Sequence, residues 1–136
     1  MVPTLTPMTW AEKIFATTLF VANTQKSEDF YTKIFEKQPV YKDQNSVVYD
    51  FNGLLINLLQ ENEVPDLIGP AHLAAKDAGH RFQITIPVIG LNQRVEVLKA
   101  QGVQFINGPM DRSWGIKTAL FSDPDGHLWE LSEPLQ

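Results

Sequence analysis

The sequence predicts an α+β fold made of two βαβββ modules in tandem, their strands forming a curved, open-barrel mixed sheet around a cavity with the helices outside. Three observations carry this expectation. The chain repeats itself: Val21 matches Val88, Phe30 matches Val97 and Tyr31 matches Leu98, all at an offset of 67 residues. Asn52-Gly53-x-Leu55-x-Asn57-Leu58 likewise matches Asp125-Gly126-x-Leu128-x-Glu130-Leu131 at an offset of 73. Repetition of a whole supersecondary unit constrains a fold more than any single propensity does. Each copy also holds one segment of helical period, and each ends in a pair of apolar runs joined by turn residues.

The elements follow in order. Lys13 to Val21 is rich in Phe, Thr, Leu and Val and reads as a strand. Asn23 or Thr24 caps a helix with Phe30, Ile34 and Phe35 on one face, and Pro39 bars its continuation. Val40 to Lys42 and Ser46 to Phe51 read as short strands. Asn52-Gly53 tolerates φ > 0 at both positions and so marks a tight hairpin, with Leu54 to Gln60 as the return strand. Residues 61–79 hold Pro65, Gly69, Pro70 and Gly79 and form a connector, with one short helix expected at Ala71 to Asp77. The pattern then restarts. Arg81 to Val88 is a strand. Leu91 to Gln101 is a helix with Leu91, Val95 and Leu98 at i, i+4 and i+7, ended by Gly102. Val103 to Ile106, Lys117 to Ser122 and Leu128 to Ser132 are strands, the last two joined by the turn Asp123-Pro124-Asp125-Gly126. The six extra residues of the second copy are assigned to a loop at Met110 to Gly115. Residues 1–136 thus read as one domain, with repeat one at about 13–60, the connector at 61–79 and repeat two at about 80–133.

Bulk properties narrow the function classes. At 43% hydrophobic the chain can bury a core without cross-links. A net charge of −5, with no run of Lys and Arg, argues against nucleic acid as a partner. The chain has no cysteine, which removes thiolate chemistry and fits a reducing cytoplasm. No apolar stretch approaches the roughly 20 residues of a membrane span, and the start of the chain, with Pro3 and Pro7, reads as a loose arm rather than a signal peptide.

Strand parity separates two faces. Leu54, Ile56 and Leu58 share one side, as do Phe82, Ile84, Ile86 and Val88, as do Trp129 and Leu131, and as do Phe15, Leu19 and Val21. These should pack on the helices. The opposite sides are mixed: Ala16, Thr18, Phe20; Leu55, Asn57, Leu59; Gln83, Thr85, Pro87; Leu128, Glu130, Ser132. An apolar surface carrying a few polar groups is how ligand sites are lined.

Two segments, Pro109-Met110-Asp111-Arg112-Ser113-Trp114-Gly115 and Phe121-Ser122-Asp123-Pro124-Asp125-Gly126-His127-Leu128-Trp129-Glu130-Leu131, resemble the second half of vicinal oxygen chelate proteins. That superfamily includes glyoxalase I, bleomycin resistance proteins, fosfomycin resistance enzymes and extradiol dioxygenases. Val21-Ala22-Asn23, Ser27 and Phe30-Tyr31 are similar to the family's opening strand and helix. The resemblance implies a divalent-metal position on the first and last strand of each module, here Ala16, Asn57, Gln83 and Glu130. Only Glu130 is a strong ligand, Gln83 is a weak neutral one, and Ala16 cannot ligate, whereas a catalytic divalent site uses about three imidazoles or carboxylates. His72 sits in the connector, His80 either points away from the cavity at the start of its strand or lies in the loop after Gly79, and His127 reads as an exposed turn residue.

The resulting expectation is a metal-independent protein without a cofactor, of the bleomycin-resistance kind, that sequesters a drug-like, cationic or aromatic small molecule. Phe20, Thr18, Leu55, Asn57, Gln83, Thr85, Trp114 and Glu130 are the ligand-binding candidates, with Glu130 also a candidate general base and Trp114 a stacking platform. Arg112 and Lys117 could meet an anionic ligand at the rim, although a solvated surface is the simpler reading. The resemblance further implies a homodimer with pockets formed across its interface. The alternative is a lyase, isomerase or dioxygenase of the same superfamily with a divalent metal as cofactor.

Overall fold

The computed structural model describes residues 10–135, so the expected N-terminal arm lies almost wholly outside the described residues. Strand β1 (Ala16–Val21) leads into helix α1 (Thr24–Phe35), followed by β2 (Tyr41–Lys42), β3 (Ser46–Phe51) and β4 (Leu54–Gln60). A 3-10 turn (Glu61–Glu63) and the short helix α2 (Val64–Ile68) open the connector. The second module is β5 (Ile84–Pro87), α3 (Leu91–Ala100), β6 (Phe105–Asp111), β7 (Ile116–Ser122) and β8 (Leu128–Pro134).

Among the described residues these strands make two four-stranded sheets of the same design, ordered β1-β4-β3-β2 and β5-β8-β7-β6. In each the first strand runs parallel to the last, and the remaining pairs are antiparallel. The architecture is therefore α+β with two tandem βαβββ modules, and the two sheets are not closed into a barrel.

Local chemistry explains most boundaries. Asn23 caps α1 by accepting from the Lys26 N–H at 2.9 Å. The helix ends at Glu36, which adopts a left-handed φ of 54°, so the stop precedes Pro39. Asn52 and Gly53 have φ of 57° and 102°, as a two-residue hairpin turn requires. The six extra residues prove to be less a loop than a longer hairpin: β6 runs to Asp111 and only residues 112–115 form its tip. Helix is absent at Ala71 to Asp77 and present at Val64–Ile68, where Pro65 supplies the preset φ that favours a first helical turn.

The apolar faces of both sheets and the inner faces of α1 and α3 share one core. Leu19, Val21, Tyr49, Ile56 and Leu58 belong to it from the first sheet; Ala119, Phe121, Trp129 and Leu131 belong to it from the second. Tyr31 on α1 is the hub. Its ring lies 5.8 Å from Tyr49 and 5.7 Å from Trp129. Its hydroxyl donates to Asp123 Oδ2 at 2.7 Å and accepts from Trp129 Nε1 at 3.0 Å. Phe35 and Phe51 add ring contacts to Trp129 at 4.9 and 5.9 Å. The first module is thus fastened to the second through buried aromatic edges and one buried carboxylate. Burial raises the pKa of Asp123 despite the bonds it accepts, and burial together with the Asp123 charge pushes the Tyr31 phenol well above its usual range.

Two expected core residues are not in the core. Phe15 is 70% exposed and Phe82 is 61% exposed, because β1 begins at Ala16 and β5 at Ile84, leaving both outside their strands. No helix among the described residues is long and apolar enough to cross a membrane.

Candidate functional site

Because the helix-side faces meet in the common core, the two mixed faces lie on the far side of each sheet. On the first, Thr18 stands opposite Asn57, Ala16 opposite Leu55 and Phe20 opposite Leu59 in the parallel β1–β4 register. All of these except Ala16 are half-buried. The Asn57 Oδ1 is buried without a hydrogen-bond partner, an acceptor that costs free energy until a donor arrives.

On the second face Thr85 stands opposite Glu130, and its hydroxyl donates to Glu130 Oε1 at 3.0 Å. Leu120 flanks Glu130 on the other side, and Thr118 stands opposite Ser132. Arg112, which reads from sequence as a solvated rim residue, instead folds onto this face: its Nε donates to Thr118 Oγ1 at 2.9 Å. Trp114 occupies the hairpin tip, 68% exposed, with the Arg112 Cζ 5.9 Å from its ring centre.

The predicted ligand-binding residues therefore form two groups. Thr18, Phe20, Leu55 and Asn57 share the first mixed face; Thr85 and Glu130 share the second. Gln83 lies in an exposed stretch before β5, outside the ladder. Trp114 meets neither group directly but stands beside Arg112. A cleft of about 510 Å³ between the modules is walled by Lys37, Phe51, Leu54, Ile84, Thr85 and Trp129 among others, and Thr85 is the one ligand-binding candidate that borders it.

His72 and His80 lie in the irregular chain before β5, whereas His127 departs from its expected place. His127 is not a free turn residue: it is half-buried, and its Nε2 lies 2.8 Å from the Phe20 carbonyl, tying the start of β8 to β1. His72, His80 and His127 all border one cavity of about 300 Å³ together with Glu61 and Asp125. Among the described residues no three His, Asp or Glu side chains converge closely enough to hold a metal ion.

The four family metal positions do not fit a divalent ion. Ala16 has no donor, Gln83 is off the strand, Asn57 offers a neutral oxygen, and Glu130 is the single carboxylate, with one oxygen already engaged by Thr85. No step of a reaction is therefore derived through a metal at these residues.

The sequence names Arg112 only as a rim residue and gives no partner for it, and it gives Asp123 and Asp125 no part beyond their own turn. The offset of 73 holds a usable signal for two of them, since it aligns Asp50 with Asp123 and Asn52 with Asp125 at the same hairpin turn.

Comparison with solved structures gives the same architecture. A glyoxalase/bleomycin resistance protein/dioxygenase from Nocardioides superposes with a TM-score of 0.82 at 19% identity, covering 98% of this chain and 89% of that one. A glyoxalase-related enzyme from Fulvimarina pelagi gives 0.78 at 22% identity, covering 90% and 88%. A glyoxalase/bleomycin resistance protein/dioxygenase family enzyme from Burkholderia phytofirmans PsJN gives 0.78 at 18% identity, covering 89% and 98%. At these identities the likeness speaks for the fold. Residues 13–131 also match the family model of this group, and with its duplicated βαβββ unit the chain belongs to the Glyoxalase/Bleomycin resistance protein/Dioxygenase superfamily.

Proposed function

We propose that this protein binds a small organic molecule on its mixed sheet faces without a metal, in the manner of the bleomycin-resistance branch of its superfamily. The observation that carries the reading is the donor set: one carboxylate, Glu130, held by Thr85, where a metal enzyme would need about three strong ligands. The unpartnered Asn57 acceptor and the half-buried Phe20 and Leu55 supply the other ingredients of a ligand wall. Glu130 then receives a cationic or hydrogen-bond-donating group of the ligand, and its role as a base is secondary. Since one chain directs its two mixed faces away from the shared core, the reading includes a homodimer in which a second copy covers these faces.

Elemental analysis tests the metal part. After loading with Mn, Fe, Ni or Zn and dialysis, retention well below one ion per chain is expected. Stoichiometric retention that disappears in Glu130→Ala would overturn the reading in favour of a metal-dependent lyase, isomerase or dioxygenase.

A further inference from the structure

Glu130 offers a ligand one charged anchor, and Arg112 stands near it with no ionic partner. The chain has 16 acidic residues against 11 basic ones, yet none of those carboxylates among the described residues lies within ion-pair distance of Arg112. Its guanidinium is nevertheless neither free nor fully solvated. The side chain is half-buried, and Nε is held by Thr118, itself only 1% exposed. An arginine fixed through Nε has already lost much of its side-chain freedom, and its two terminal nitrogens remain as a planar fork that matches an oxyanion.

Its position relative to Glu130 follows from the ladder. Leu120 stands opposite Glu130 and Thr118 opposite Ser132. Thr118 and Leu120, two apart on one strand, point to the same face. Thr118 and Glu130 are thus diagonal neighbours, roughly 7–8 Å apart, and Arg112 sits over Thr118. One face therefore carries an anion and, anchored over its diagonal neighbour, an unpaired cation, with the Trp114 ring of the hairpin tip beside that cation.

We infer that Arg112 is a ligand-recognition residue for an oxyanion, so that the site takes an aromatic zwitterion: a carboxylate on the Arg112 fork, a flat ring towards Trp114 and a cationic amine at Glu130. The amine end rests on the function proposed above; the carboxylate end does not.

Calorimetric titration with three probes separates the two ends: 4-(aminomethyl)benzoate, benzoate, which lacks the amine, and benzylamine, which lacks the carboxylate. The zwitterion should bind tightest. Arg112→Gln should weaken 4-(aminomethyl)benzoate and benzoate about tenfold or more and leave benzylamine within about twofold. Arg112→Lys keeps the charge but loses the fork, and should fall between wild type and Arg112→Gln, with an unchanged melting curve as the folding control. Unchanged affinity for the zwitterion in Arg112→Gln, or failure of both carboxylate probes to bind the wild type, overturns the inference. If Arg112→Gln has the stated effect while Glu130→Gln alters none of the three probes, Arg112 keeps its role and the Glu130 reading falls.

Discussion

The two modules close their last hairpin with an aspartate at the same place, Asp50 and Asp123, 73 residues apart. Asp50 is exposed, and its carboxylate accepts the Gly53 N–H at 2.7 Å, which closes the turn and nothing more. Asp123 accepts the N–H groups of Asp125 and His127 at 2.9 and 2.8 Å through one oxygen and the Tyr31 hydroxyl through the other. Two residues along, Asn52 takes a left-handed conformation and reaches no further. Its counterpart Asp125 accepts the Ala22 N–H at 2.9 Å and faces Ser27 Oγ at 3.4 Å, both on the other module. The same turn device closes a hairpin in one module and joins the two modules in the other.

That contrast can be broken by mutation. Asp123→Ala leaves the buried Tyr31 hydroxyl and two turn N–H groups without an acceptor, and should cost about 3 kcal/mol in urea or thermal unfolding. Asp50→Ala should cost less than about 1 kcal/mol, because water replaces the lost acceptor. Equal losses would show that Asp123 acts on its own turn alone.

The helix starts sharpen the same comparison. Asn23 and Gly90 are equivalent at an offset of 67, and Gln60 and Glu133 at an offset of 73. In the first module Asn23 caps α1 and Gln60 Oε1 accepts the Thr24 N–H at 3.0 Å. In the second, Gly90 has no side chain to offer, and Glu133 takes both the Gly90 and Leu91 N–H groups at 2.6 and 3.0 Å. Asn23→Ala should cost about 1 kcal/mol, measured by equilibrium unfolding.

Glu133 also adds a pH dependence that Gln60 lacks. The two backbone donors hold its pKa below the ordinary carboxylate value. The unfolded chain therefore binds its proton first as pH drops. The contribution is complete above the unfolded pKa and lost as pH falls through the folded one. Glu133→Gln should flatten this acid-side slope slightly in a series of melts between about pH 5 and 2. A slope unchanged by the substitution would locate the dependence elsewhere.

Much of this scaffold is legible in the sequence. Alternation in Leu54, Ile56 and Leu58 and in Trp129 and Leu131 names the core side of β4 and β8, and glycine-bearing turns mark both hairpins, because those signals are local. Phe15 and Phe82 mislead for the same reason: alternation continues past the strand ends, whereas burial depends on a neighbouring strand the pattern does not contain. Of the candidate site, parity puts Thr18 and Asn57, and Thr85 and Glu130, on the mixed faces, but which of them pair is set by a strand register that parity leaves open. The anchoring of Arg112 was not legible, since it is set by Thr118 across a hairpin with irregular register on β6. Nor were Asp123 and His127, whose partners lie 92 and 107 residues away.

Those separations bear on the order in which the chain acquires its shape during synthesis. A ribosome delivers the first module at about 5–20 residues per second and completes it well before Asp123 emerges. Through that interval the Tyr31 hydroxyl and the ring edges destined for Trp129 have no partner, and closing so long a loop is slow. The nascent first module therefore keeps this surface uncovered until its own second half arrives.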